Sequence, residues 1–231
     1  MAPDPAGRRP LKSRDILFFK WLATRLAAAG VTPNAISFLS IVFGVLAGLA
    51  LAKTTVVDWN GAPLFPNVTR WLWLPAAVLI QMRLLANMLD GMVAVEAGRG
   101  GPTGDLWNEA PDRVADAAIL IGAGFATGSH PYLGFGAALV AFFVAYIRAL
   151  GASLGAGQCF LGPQAKPHRM AVLTVACLLS AIWPAPRETF EYTSALPTFI
   201  ELALWIVILG GAITAWRRLA FIARFLRSRK V

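Results

Sequence analysis

Two cysteines and two histidines are all that 231 residues contain of either type. Cys159 stands in a loop and Cys177 in an apolar run, with no metal-ligand spacing, so neither a disulfide nor a thiolate metal site is expected. His130, in Ser-His-Pro-Tyr, and His168, in Lys-Pro-His-Arg, each lack a second ligand or a nucleophile at a useful spacing. Charge is scarce as well. Only 14% of the residues are charged while 57% are hydrophobic, and mean hydropathy is +0.62. That excludes an ordinary soluble domain and describes an integral membrane protein. Acidic residues are the rarer sign, 12 against 21 Lys and Arg, for a net charge of +9. Most of the basic residues flank apolar runs, so topology and anionic lipid head groups explain them, and no nucleic-acid partner is expected. Internal repeats and low-complexity segments are absent. The glycines of GRGGPTG follow no strand and precede no Lys-Ser/Thr, so they do not form a nucleotide-binding loop.

What is present is a succession of apolar runs. At about 20 residues per span they predict an all-α membrane protein, one domain over 1–231. Residues 1–14 form a flexible polar tail without a secretion-signal pattern. Residues 15–29 are apolar on one side and too short to span, which suits an amphipathic helix lying in the interface. A six-helix bundle occupies 35–216, with spans near 35–52, 71–95, 104–128, 131–151, 170–185 and 197–216. A basic helical tail, 217–231, follows. Gly44 and Gly48 form a small-xxx-small pair that permits close helix contact, within the bundle or across a homodimer. With six spans both termini share a side. Lys53, Arg70 and Arg187 are the only basic residues in the opposite loops, so the side of the termini reads as cytoplasmic. In a bacterium this would be the inner membrane.

The acidic residues gather in one place. Asn87 to Asp116 reads NMLDGMVAVEAGRGGPTGDLWNEAPDRVAD and holds Asp90, Glu96, Asp105, Glu109, Asp112 and Asp116, half of the 12. Carboxylates at the edge of hydrocarbon are costly and mark functional sites. At about 100° per residue, Arg83, Asn87, Asp90 and Ala94 share one helix face. Asn108, Glu109, Asp112 and Asp116 span an arc of roughly 100° on the next helix. Two antiparallel helices on a glycine-rich link can turn these faces toward each other. The donors are all oxygen, which suits a hard cation, Mg2+, Mn2+ or Ca2+. Pro111 would kink the second helix if it fell deep inside, freeing the carbonyl of Trp107.

This stretch resembles the signature of the CDP-alcohol phosphotransferases, D-x2-D-G-x2-A-R-x8-G-x3-D-x3-D. Asp90-Gly91, Ala94, Gly104 and Asp112 match at the right spacing. Asn87 and Asn108 replace the first and third aspartates, and Val95 replaces the arginine.

The resemblance implies a membrane enzyme that uses Mg2+ or Mn2+. It implies transfer of a phosphatidyl group from a CDP-activated lipid, CDP-diacylglycerol foremost, to the hydroxyl of an acceptor alcohol, with release of CMP. It makes Asp90 a metal ligand and Asp112 both a ligand and the general base. Asn87 and Asn108 fall on the remaining ligand positions, and Gly91, Ala94 and Gly104 on substrate-binding positions. Arg148, Lys166 and Arg169 lie at span ends where they can clamp phosphate oxygens, and Arg83 can serve as a counter-charge or phosphate ligand. Two amides leave the site short of charge, and Glu109, Asp116 or both are candidates to supply it. Other readings are a CDP-aminoalcohol transferase acting on diacylglycerol, an inactive lipid-binding homologue, and a transporter. The charges sit on one helix pair rather than over several spans, which favours the enzyme.

Overall fold

The structure is a computed structural model and describes residues 16–55, 71–96, 103–183 and 197–229. The expected tail 1–14, most of the loop 53–70, most of the link 96–103 and Arg187 lie outside the described residues.

Seven α-helices make up the described chain: α1 Leu17–Ala28, α2 Pro33–Ala52, α3 Trp73–Glu96, α4 Gly104–Gly124, α5 Pro131–Ser153, α6 Lys166–Ile182 and α7 Phe199–Ser228. No strand occurs among the described residues. Local chemistry sets many of the ends. Gly30, at φ 80°, closes α1. Its N–H bonds Ala27 O while the Val31 N–H reaches Leu26 O, the double bond of a Schellman motif. Thr32 caps α2 by accepting from the Ala35 N–H at 3.2 Å, and Pro33 fills the first turn. Pro131 opens α5 in the same way. Thr198 accepts from the Glu201 N–H at 3.3 Å and starts α7.

The expected boundaries shift at three ends. α4 stops at Gly124, not near 128, because Thr127 turns away to donate to the Thr54 carbonyl at 2.5 Å. α6 begins at Lys166, earlier than 170, with a proline in its first turn. α7 runs unbroken to Ser228. Its basic second half carries one buried arginine near its start. Arg218 donates to the Leu161 and Val144 carbonyls at 3.0 and 2.9 Å, which holds this part of the helix against α5 and the loop after it. Pro111 does lie inside α4, so the Trp107 carbonyl receives no helical bond from it.

The six long helices close a ring in the order α2–α4–α5–α7–α6–α3, and α1 packs on α3. Small residues set how closely they approach. A Cβ added to Gly44 would lie 2.6 Å from the Ala115 Cβ, and one on Gly48 would run into the Ala118 carbonyl. The small-xxx-small pair is thus used inside the bundle, on α4. The main core joins Leu51, Ile80, Ile119, Leu120, Ala137, Ala141, Met170, Leu173, Ile200 and Leu204 from the inner faces of the six helices. Large apolar side chains such as Phe38, Leu49, Leu139, Phe143, Leu209 and Trp216 face outward. Among the described residues four helical segments, Pro33–Thr55, Trp73–Val95, Pro131–Ser153 and Phe199–Ser228, are long and apolar enough to cross a membrane. Apolar outside as well as inside, the chain is an integral membrane protein.

Candidate active site

Ion pairs gather at one end of the ring. There the C-terminal half of α3, the first half of α4, the end of α5 and the start of α6 come together, with the first turns of α2 behind them.

Asp90 on α3 is buried and accepts from Ser37 Oγ on α2 at 2.7 Å. Its other oxygen accepts from the Gly91 N–H at 2.5 Å. One turn before it is Asn87, whose Oδ1 accepts from the Lys166 ammonium. The same ammonium donates to Asp112 Oδ2 on α4. Lys166 therefore bridges two of the motif positions, one on each helix. Asp112 Oδ1 accepts from Arg83 Nη2 at 2.9 Å. Both oxygens of the expected base are thereby engaged by cations.

Behind this pair lies a second layer. Arg83 has no solvent exposure and also faces Asp116 Oδ1 at 2.8 Å. Asp116 Oδ2 accepts from Arg169 Nη2 at 2.9 Å, and Arg169 Nη1 reaches the Gln164 carbonyl at 3.0 Å. Arg83 Nε and Nη1, and Arg169 Nε, are buried without a hydrogen-bond partner among the described residues. Ion pairs this deep hold position by mutual compensation, and each would be expensive alone.

Glu109 lies toward the rim. It pairs with Arg113 at 3.4 Å, one turn on, and with Arg148 from α5. Gly104 opens α4 with open space where a Cβ would stand. Ala94 follows Asp90 by one turn, and Val95, which replaces the motif arginine, is exposed. Asn108 precedes Asp112 by one turn of α4. The side chains of Glu96, Asp105 and Asn108 are outside the described set.

The arrangement bears on the charge shortage. The candidates to relieve it, Glu109 and Asp116, are already neutralised, the first by Arg113 and Arg148, the second by Arg83 and Arg169. Their negative charge is spent on arginines rather than on the Asn87–Asp112 position. Among the described residues no three His, Cys, Asp or Glu side chains form a cluster able to hold a metal ion. The amide at Asn87 is one physical reason. Even so, the donor chemistry suits a hard cation. Asn87 Oδ1 and Asp112 Oδ2 already converge on one positive charge, the Lys166 ammonium, which stands in for a bound cation.

Two serines escaped the sequence reading. Ser37 holds Asp90, and Ser40 Oγ donates to the Arg83 carbonyl at 3.3 Å. Their signal was there: Ser37, Ser40, Gly44 and Gly48 make a small-residue stripe on one face of an otherwise bulky apolar run.

No family model matches the chain. It is 26% identical to a phosphatidylinositol phosphate synthase from Streptomyces avermitilis over 94% of this chain and 84% of that one. An archaetidylinositol phosphate synthase from Aeropyrum pernix is 28% identical over 68% of this chain and 75% of its own. Among solved structures, the Mycobacterium tuberculosis phosphatidylinositol phosphate synthase with CDP-DAG bound aligns with a TM-score of 0.68 at 19% identity, covering 90% of this chain and 94% of the other. The same enzyme in complex with manganese and citrate gives 0.67 at 20% identity, covering 88% of each chain. The fold is therefore shared with these synthases. The motif spacing from Asp90 to Asp112 and the helix pair that carries it agree with the resemblance to the CDP-alcohol phosphotransferases, and the chain is similar to these synthases over most of its length.

Proposed function

We propose that this protein transfers a phosphatidyl group from CDP-diacylglycerol to the hydroxyl of an acceptor alcohol and releases CMP. The observation that carries this reading is the convergence of Asn87 and Asp112 on one cation at one end of the α3–α4 pair, with buried Asp90 one turn from Asn87 at the motif's spacing. Asn87, Asp90, Asp112 and Asn108 are the residues that would hold Mg2+ or Mn2+. The ion, when bound, neutralises pyrophosphate oxygens and steadies the leaving CMP. Asp112 takes the proton from the acceptor hydroxyl as its oxygen bonds to phosphorus and the bond to CMP breaks. Gly91, Ala94 and Gly104 leave room for the nucleotide beside the two helices. Arg148, with Arg113 beside it, lies at the rim, where a phosphate on the acceptor would find guanidinium donors. Arg83, Asp116 and Arg169 hold Asp112 and the start of α6 in place. The names of the relatives make inositol phosphate the first acceptor to test.

The rest of the layout belongs to the same proposal. The chain is one membrane domain in which α2–α7 all span, α1 lies in the interface, and the site faces the cytoplasm. Seventeen of the 21 Lys and Arg fall on the side of the termini, which supports that orientation. Close packing of Gly44 and Gly48 on α4 removes the sequence argument for a homodimer seam there.

The test is CMP release by purified protein in lipid, given radiolabelled CDP-diacylglycerol and a panel of polyols that includes inositol phosphate. Release with one of them, lost in Asp112→Asn, is the expected result. No release with any acceptor would favour an inactive lipid-binding homologue, the reading suggested by the amide at position 87.

A further inference from the structure

We propose that the Lys166 ammonium is a tethered cation that occupies the metal position of the ion-free protein and must withdraw when a divalent ion binds. The inference rests on the reading of Asn87 and Asp112 as metal ligands. The ammonium donates to one oxygen of each, and these oxygens come from two different helices. A divalent ion seated on the same two oxygens would compete directly with it, since the ammonium held at that point would repel the ion at close range.

Lys166 is also the cation free to move. Arg83, on the other oxygen of Asp112, is fully buried and held by Asp116 as well. Arg169, one turn after Lys166, is fixed between Asp116 and the Gln164 carbonyl. The Lys166 side chain is 20% exposed, sits at the first position of α6 and hangs on a four-carbon stem. It can swing out without disturbing the layer behind it. A tethered single charge also suits a site in which amides replace two of the four motif carboxylates: it compensates Asp112 when no ion is present. Metal affinity in this protein is then set by a competition inside the chain.

The experiment measures Mn2+ binding by electron paramagnetic resonance on the full-length protein in lipid nanodiscs. Wild type, Lys166→Met and Asp90→Asn are compared, with labelling of wild-type Lys166 by an amine reagent read by mass spectrometry. Lys166→Met should bind Mn2+ at least tenfold more tightly than wild type. Labelling of Lys166 in the wild type should rise several-fold when Mn2+ is added, a readout that does not depend on a variant folding. Equal or weaker binding by Lys166→Met, or labelling that stays flat or falls with Mn2+, overturns the proposal. If Asp90→Asn still abolishes binding in that case, the metal site itself stands. Absence of specific Mn2+ binding in wild type and Lys166→Met alike would remove both the competition and the metal site beneath it.

Discussion

Arg83 and Asp116 meet across the α3–α4 interface at 2.8 Å, one turn of α4 beyond the last position of the motif. The same Arg83 nitrogen serves Asp112 at 2.9 Å. The arginine thus joins a residue of the motif to one outside it, and the pair lies where water is scarce. Removing one partner of such a buried pair costs about 3–5 kcal/mol, while replacing both with apolar groups costs far less. Arg83→Met should therefore lower the thermal midpoint of the protein in detergent markedly, and Arg83→Met with Asp116→Leu should lose less than the two single changes combined. Strict additivity in that cycle would show that the contact does not couple them.

Asp112 is the expected proton acceptor. Asp112→Asn should eliminate CMP release while leaving CDP-diacylglycerol able to bind, because an amide cannot take the acceptor's proton. Single-turnover assays with bound donor separate the two effects. Near-normal turnover in this variant would end the assignment of Asp112 as base.

Ser37 holds Asp90 through a bond of 2.7 Å to a charged acceptor. Such bonds contribute about 1.5–3 kcal/mol. Ser37→Ala should raise the Mn2+ concentration for half-maximal activity by about tenfold or more, and Ser37→Thr should restore it, since the hydroxyl is kept. An Ala variant with an unaltered metal requirement would mean that the Gly91 N–H suffices to orient Asp90.

Glu109 gives both of its oxygens to arginines. With its charge already offset, Glu109→Gln should leave the metal requirement unchanged and alter KM for a phosphorylated acceptor through the released Arg148. Titrating Mn2+ and acceptor separately distinguishes these outcomes. A raised metal requirement would instead make Glu109 the source of the charge that Asn87 and Asn108 lack.

Gly48 lies against the backbone of α4 with no room for a methyl group. Overpacking of this kind costs about 1–3 kcal/mol. Gly48→Val should reduce the folded yield and the thermal midpoint, whereas Gly30→Ala, where a Cβ meets open space but φ is 80°, should show only the modest cost of a left-handed alanine. Equal losses from the two substitutions would argue against tight α2–α4 packing.

By itself the sequence determined whatever depends on neighbours in the chain. Apolar runs of spanning length state the membrane class, and Thr32-Pro33, His130-Pro131 and Thr198 mark helix starts because capping and proline act within one turn. The faces bearing Asn87 with Asp90, and Asp112 with Asp116, follow from the helical period alone. Only the tertiary structure decided which cation each carboxylate receives. Lys166 stands 54 residues from Asp112, and Arg169 stands 53 from Asp116. These pairs exist because closing the ring sets the start of α6 beside α3 and the charged end of α4. The same closure gave the Gly44–Gly48 stripe to α4 and brought Ser37 to Asp90. Helical periodicity says which side chains share a face, but a charge takes its partner from whatever the packing of other helices brings within hydrogen-bond reach.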